Sequence, residues 1–369
     1  MAHTASKNPW IETPLIWSRT LSKAAGCRIY LKLENVQPSG SFKSRGVGNY
    51  LKSHLSATSA SNSTTNGATT NGAPANTHFF CSSGGNAGLA CVHGAVTLGC
   101  PATIVVPMTT SDYMIGKLRA AGATEVIQKG ASWVDADTFL KEEALPAAKA
   151  RGENAVYVPP FDAPDIWAGN ATMVDEIARQ MPKVDRYYPS SEDASLAAFN
   201  DEELRLPDAI VCSVGGGGLF SGIMQGLDKY AAISSSTKVL AVETKGADSL
   251  AQSIEKGEHI TLPAITSIAT TLGARKVAKE AYDYASDKSR VTTAVLPDAE
   301  AVDACKQFAN DERILVEPSC GVALATAYTG RLRQLLPDLK PSSQVVLVVC
   351  GGCGLSLEIL ADYIKQVLR

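Results

Sequence analysis

The sequence predicts an α/β protein built on two mostly parallel sheets flanked by helices. Three observations carry that expectation: short β-branched runs alternate with longer segments, those segments have helical length and spacing, and glycine-rich loops follow three of the runs. Residues 28–34 (RIYLKLE), 78–83 (HFFCSS), 102–107 (ATIVVP), 125–130 (EVIQKG), 209–214 (AIVCSV), 239–244 (VLAVET) and 345–350 (VVLVVC) read as strands. Residues 87–98, 112–122, 133–151, 169–181 and 319–335 read as helices. Alternation on this scale predicts βαβ units, in which ligands bind at the carboxyl ends of strands.

A length of 369 residues predicts about two domains. The 45% hydrophobic and 19% charged composition is that of an ordinary soluble protein. A net charge of −3 with scattered basic residues leaves no footprint for nucleic acid. The start, MAHTASKNPWIETPLIW, has no basic segment leading into an apolar run, and no apolar stretch reaches membrane-spanning length, so a cytoplasmic protein is expected. The nine cysteines lie mostly in apolar or glycine-rich runs and read as reduced, buried thiols. Cys350 and Cys353 form one CxxC, with no second CxxC or nearby histidine pair to complete a zinc set.

Two segments break the alternation. Residues 56–77 are almost all small and polar and read as a mobile surface insertion. Residues 185–206 read as a second, more acidic excursion, and neither segment carries a reacting group.

The glycine-rich loops carry the chemistry. After AIVCSV comes GGGGLFSG, residues 215–222, where successive backbone N–H groups lead into a helix N-terminus and suit a phosphate. A dinucleotide fingerprint fails on spacing, because Phe220 or Ser221 stands where its last glycine belongs. A P-loop fails too, because Ile223 and Met224 follow Gly222 in place of lysine and a hydroxyl residue. What remains is a terminal monophosphate ester or a tight structural turn. The strand HFFC runs into SSGGNAGLA, residues 82–90, which could bind an anion; read alone, an N-cap with a turn accounts for it. CGGCG at 350–354 is the third such loop, and QPSGSFKSRG at 37–46 sets Lys43 in a flexible stretch after Phe42.

Together these pieces resemble the fold type II, or tryptophan synthase β, family of pyridoxal-phosphate enzymes, and within it the serine/threonine dehydratases of the liver L-serine dehydratase type. PSGSFKSRG, SSGGNAG, LGCPATIVVP, PPFDAPDIWAGN, SVGGGGL, ILVEPSCGVALA and VVCGG occur in that family's order along nearly the whole chain. The resemblance implies pyridoxal 5′-phosphate as cofactor and Lys43 as its Schiff-base lysine and the catalytic base. Phe42, Leu219 and Gly215, Gly216, Gly217 and Gly218 would surround the cofactor, the four glycines holding its phosphate. Asn86 would bond its 3′ oxygen, Phe161 would pack on its ring, and Cys350 would face the ring nitrogen. Ser82, Ser83, Gly84, Gly85, Asn86 and Ala87 would bind the substrate carboxylate, with Ser83 also counted as catalytic.

The implied reaction is β-elimination from a small-molecule amino acid, giving pyruvate from serine or 2-oxobutanoate from threonine, plus ammonia. A neutral thiol at Cys350 makes the ring a shallower electron sink than a carboxylate would, which suits elimination. Racemising relatives carry a serine two positions before the motif asparagine, where this chain has Gly84. The resemblance also implies a monovalent cation, potassium in first place, held by Glu243, Ser249 and the carbonyls of Gly215, Ala247, Leu272 and Ala274. Relatives tend to have alanine where this chain has Thr271, with no predicted direction of effect. The alternatives are a β-replacement enzyme such as cysteine synthase, a serine racemase, or a noncatalytic member that keeps the fold.

The family implies a homodimer. The sequence ends soon after the helical run GLSLEILADYIKQVLR, so the C-terminal effector domain of biosynthetic threonine deaminases, and with it feedback by isoleucine, is not expected. The family also implies a large domain of residues 1–36 and 163–369 and a small domain of 37–162, with the cofactor between them.

Overall fold

The structure is a computed structural model that describes residues 8–61, 69–70, 73–74, 76–187, 204–234 and 236–368. Its strands are β1 (Leu15–Ser18), β2 (Arg28–Lys32), β3 (Thr69–Thr70), β4 (Ala73–Pro74), β5 (Thr77–Cys81), β6 (Ala102–Val106), β7 (Glu125–Gln128), β8 (Asn154–Tyr157), β9 (Ala209–Ser213), β10 (Lys238–Thr244), β11 (Val291–Leu296) and β12 (Gln344–Val348). All seven runs read as strands are strands. β1, β8 and β11 are additional, and β3 pairs with β4 as a short antiparallel ribbon.

The chain divides into two compact units. The smaller comprises Met1–Ile11 and Gln37–Gly169, the larger Glu12–Val36 and Asn170–Arg369. This departs from the expected division at two places. Residues through Ile11 go with the smaller unit because Gln37 exchanges side-chain hydrogen bonds with the Ile11 backbone at 3.0 and 2.9 Å, and Lys52 reaches Asn8 at 2.6 Å. The second boundary falls at Gly169, where a Cβ would come within 2.5 Å of the Arg45 carbonyl, so the backbone there packs directly on residues 45–49.

The smaller unit holds a four-stranded, all-parallel sheet in the order β7-β6-β5-β8. β5 and β6 are buried along their whole length, as strands covered on both faces must be. One face is covered by Ala136, Leu140, Leu145 and Ala148, which pack on Phe80 and Val105. The segment expected as one helix over 133–151 is an α-helix (Trp133–Phe139), a π-turn (Leu140–Ala144) and a second α-helix (Leu145–Ala150). Pro146 has no N–H to give the preceding turn, which is where the regular ladder is interrupted.

The larger unit holds a six-stranded sheet, β1-β2-β12-β9-β10-β11, parallel except for β1 on β2. The helix expected to stop at 181 runs from Pro164 to Tyr187 and passes through Pro182. Asp185 holds this last stretch: it is 2% exposed and accepts from Tyr30, from Gln344 at 2.7 Å and from Arg28 at 3.4 Å, with Arg205 also paired to it. These buried bonds outweigh the roughly 3 kcal/mol that an interior proline costs a helix. The 185–206 segment is therefore anchored at its described start, while residues 188–203 lie outside the described residues. The segment 319–335 divides at Gly330, in the left-handed region at φ 68°, into helices Pro318–Tyr328 and Leu332–Leu335.

Lys43 does not stand in a flexible loop. It is the first residue of a helix, Lys43–Ser61, that runs into the segment read as an insertion from 56. Of that insertion, residues 62–68, 71–72 and 75 lie outside the described residues. The helix contains Gly46 and Gly48, poor helix formers on propensity. Tertiary packing overrides propensity here: a Cβ on Gly48 would lie 2.9 Å from Pro9 Cβ, and one on Gly94 would lie 3.9 Å from Gly48 Cα.

Candidate active site

In the smaller unit, Lys43 Nζ donates to the carbonyl of Pro160 at 2.9 Å and lies 5.1 Å from the centroid of the Phe42 ring. Phe161 follows Pro160, and its carbonyl accepts from Trp167 Nε1 at 3.0 Å. β5 ends at Cys81, and the loop after it leads into the helix Asn86–Leu98 with Gly85 at the N-cap. The first turn of a helix presents N–H groups with no intrahelical acceptor and favours an anion. Ser83, Gly84 and Gly85 are half-exposed there, while Asn86 and Ala87 are buried at the start of the helix. The Ser83 carbonyl lies so close to this helix that a Cβ on Gly88 would come within 1.8 Å of it.

Ser82 departs from its expected place in the carboxylate loop. It is 1% exposed, and its hydroxyl donates to Asp137 Oδ1 at 2.7 Å, turned into the unit and committed to a buried partner. At Gly84 a Cβ would lie 3.0 Å from Thr110 Cγ2 and 3.1 Å from Val106 Cγ1, closer than such contacts ordinarily come.

In the larger unit, β9 leads through Gly215 and Gly216 to Gly217, the N-cap of the helix Gly218–Lys229, at φ 90°. A Cβ on Gly215 would lie 2.9 Å from Leu272 Cα, and one on Gly217 2.6 Å from Ala281 Cβ. The loop is held from behind as well: Gly216 O accepts from Ala278 N at 3.0 Å and Gly218 O from Asn170 Nδ2 at 2.9 Å. Side chains are excluded at these positions, so backbone N–H groups are the donor set, and that set suits a phosphate monoester.

Cys350 follows β12, and its thiol lies 3.6 Å from Ser213 Oγ. Hydrogen bonding with Cys320 and burial hold the Cys350 thiol well above the usual range, so it is neutral. Near it, the carboxylate of Glu317 accepts from Thr271 Oγ1 at 2.8 Å, Ser319 Oγ at 3.2 Å and Gly354 N at 2.6 Å. Gly352 at φ 124° makes room for it, since a Cβ there would come within 2.2 Å of Glu317 Cδ.

Glu243, at the end of β10, accepts from the backbone N–H of Leu250 at 2.9 Å and of Ala251 at 2.7 Å, capping the helix Ser249–Lys256. Burial pushes its carboxyl up to about 8 against the pull of those two bonds. Ser249 Oγ is buried beside it without a hydrogen-bond partner. Of the expected carbonyl ligands, Leu272 O takes a hydrogen bond from Ala274 N at 2.7 Å, and Ala247 is buried. Among the described residues no group of three or more His, Cys, Asp or Glu could hold a metal ion.

Each unit carries groups that suit pyridoxal phosphate: the smaller an amine at Lys43, the larger a side-chain-free cup at 215–218 and a neutral thiol at Cys350. Comparison with known proteins agrees. Residues 7–351 match the family described as pyridoxal-phosphate dependent enzyme. The bovine L-serine dehydratase/L-threonine deaminase is 39% identical over 363 residues, covering 97% of this chain and 95% of that protein. The chain belongs to the fold type II pyridoxal-phosphate family, among its serine/threonine dehydratases. Two solved structures are similar to it. A fungal L-serine ammonia-lyase from Rhizomucor miehei matches with a TM-score of 0.80 at 32% identity, covering 98% of this chain and 100% of its own. Maize serine racemase matches with a TM-score of 0.75 at 25% identity, covering 97% and 93%.

Glu317, Asn170 and Gly88 stand inside the family motifs without a role assigned to them there, and Asp137 stands in none. Gly88 stands inside SSGGNAGLA and carried a signal, a third glycine just past the loop. The other three meet their partners only through tertiary folding.

Proposed function

We propose that this family member is an L-serine/L-threonine ammonia-lyase, forming pyruvate or 2-oxobutanoate with release of ammonia. The names of the similar proteins support the amino-acid class, and Gly84 is the observation that carries elimination over racemisation. Inverting Cα needs a proton donor on the face opposite the base. Position 84 has no side chain, and a Cβ there would be directed at Thr110 and Val106.

Bound pyridoxal phosphate would supply the electron sink that makes the substrate Cα–H acidic. Lys43 would hold it covalently through its amine, and Gly215 to Gly218 would hold its phosphate through backbone N–H groups. Ser83 and the amides through Ala87 would bind the substrate carboxylate and so orient the Cα–H bond. Once its amine is released, Lys43 would take the Cα proton as general base. The Cβ–O bond breaks and the hydroxyl leaves with a proton as water; a second water later replaces the nitrogen, so the net products are a 2-oxo acid and ammonia. Cys350, held neutral, would leave the ring nitrogen without a carboxylate partner. Glu243 and Ser249 would hold a monovalent cation, and a homodimer belongs to the same proposal.

The test is purified protein with L-serine and with L-threonine, in potassium and in sodium, monitoring 2-oxo acid, D-serine and, with sulfide added, cysteine. Pyruvate with D-serine at background supports the proposal. Predominant D-serine would make it a racemase, and cysteine formed in place of pyruvate would make it a β-replacement enzyme.

A further inference from the structure

We infer that Asp137 is a positioning residue that fixes the 82–87 loop for the substrate carboxylate; the identity of that substrate rests on the ammonia-lyase reading above. Asp137 is 8% exposed, and its carboxylate gathers three donors. Oδ1 accepts from Ser82 Oγ at 2.7 Å and from Tyr157 OH at 2.8 Å, and Oδ2 accepts from Lys141 Nζ at 2.7 Å. A buried carboxylate is tolerated only with such partners. Burial, and then Asp137 itself, push the Tyr157 phenol up, so it stays protonated and keeps donating.

The same chain of bonds reaches the helix that carries Lys43. Tyr50 OH, seven residues along that helix, donates to the carbonyl of Tyr157 at 3.0 Å, while the Tyr157 hydroxyl serves Asp137. Asp137 thus links, through β8, the element that opens with Lys43 to the loop that opens with Ser82. On its far side that loop is limited by Gly88, which lets the Ser83 carbonyl lie against the helix Asn86–Leu98. Between the Ser82 anchor and the helix Asn86–Leu98 stand Ser83, Gly84 and Gly85, with the Gly85 N–H donating to Ser83 Oγ at 3.4 Å. Two successive glycines are the most conformationally free pair a chain can hold, and restraining their ends removes freedom that carboxylate binding would otherwise have to remove.

Ser82→Ala, Ser82→Thr, Asp137→Asn and the Ser82→Ala/Asp137→Asn double variant test this in the cofactor-loaded protein. Three readouts are taken: KM and kcat with L-serine, the affinity for L-alanine, which has no β leaving group, by calorimetry, and hydrogen–deuterium exchange of residues 83–88. Loss of the anchor is expected to raise KM and weaken L-alanine binding about tenfold, with kcat changed less than about threefold. The double variant should add less than about twofold to the effect of Asp137→Asn alone, because losing the charge already weakens the Ser82 bond while also disturbing Tyr157 and Lys141. Ser82→Thr should restore affinity, and exchange over 83–88 should rise in Ser82→Ala and Asp137→Asn alone. Unchanged exchange in the single variants, fully additive effects, or no rescue by threonine would overturn the inference. Faster exchange in variants of a protein whose wild type neither binds L-alanine nor consumes L-serine would uphold the anchor and sink the ammonia-lyase reading. Should Asp137→Asn fail to fold, Ser82→Ala against Ser82→Thr decides alone.

Discussion

Thr271 donates its hydroxyl to the buried carboxylate of Glu317 at 2.8 Å. This gives a task to the residue that stands where relatives tend to have alanine. The hydroxyl ties the turn Thr270–Leu272 to a carboxylate that also receives the Gly354 amide at 2.6 Å, just past Cys350. Thr271→Ala is expected to lose about 1 kcal/mol of stability, the net value of one hydrogen bond. Glu317→Ala, which strands three donors, is expected to lose about 2–4 kcal/mol. Urea unfolding of both variants checks the ranking, and a Thr271→Ala loss as large as that of Glu317→Ala would contradict it.

Gly84→Ser does not install racemisation. A serine Cβ there starts 3.0 Å from Thr110 Cγ2, so the residue must displace its neighbours before its hydroxyl can point anywhere useful. The expected outcome is D-serine at background together with a stability loss of about 1–3 kcal/mol from overpacking. Chiral chromatography of the serine pool, run beside a thermal melt, reads both.

Glu243 gives the protein a defined pH dependence. Its carboxyl, ordinarily at 4.5, is pushed up to about 8 in the folded state by burial. Because the folded value is the higher one, the contribution to stability is fully present below about pH 4.5 and is lost as pH rises through about 8, up to about 1.4 kcal/mol per pH unit. In a buffer free of alkali-metal cations, the urea midpoint of the wild type should fall between pH 6 and pH 9 more steeply than that of Glu243→Gln. Parallel curves would show that Glu243 does not titrate in this window.

Thiol chemistry should be confined to one cysteine. Eight of the nine cysteines are buried and Cys353 alone is half-exposed. Burial also pushes Cys27 up to about 11 and holds Cys212 and Cys305 higher still, keeping their thiols protonated and slow to react. Brief alkylation of the native protein at pH 8, followed by peptide mass spectrometry, should mark Cys353 first. Early modification of Cys350 would show that its pocket opens far more than its burial implies.

The parts of the fold legible in the sequence were those that follow from local rules. Seven apolar runs announced their strands, and four consecutive glycines announced a loop that no side chain could share. Lys43 is legible through its motif, yet the helix it opens is not, because Gly46 and Gly48 weaken the local signal while the close approach of Pro9 and Trp10 requires a glycine at 48. The helix expected over 169–181 continues through Pro182 to Tyr187, and the buried bonds of Asp185 show why. Asp137 lies 55 positions from Ser82 and Glu317 lies 46 from Thr271, distances over which no periodicity or spacing rule links a donor to its acceptor. Ser82 stands beside Ser83 in the expected carboxylate loop, yet its hydroxyl is committed to Asp137, a partner no local rule points to.

That last contrast bears on how members of this fold could be recombined. A designer who grafts SSGGN from this chain into another scaffold would carry over Ser83 and the glycines but leave behind the Asp137 acceptor of Ser82, and the imported serine would arrive as a buried, unmatched hydroxyl. The transferable unit is therefore discontinuous: the loop, the helix Trp133–Phe139 that carries Asp137, and Tyr157 travel together or not at all.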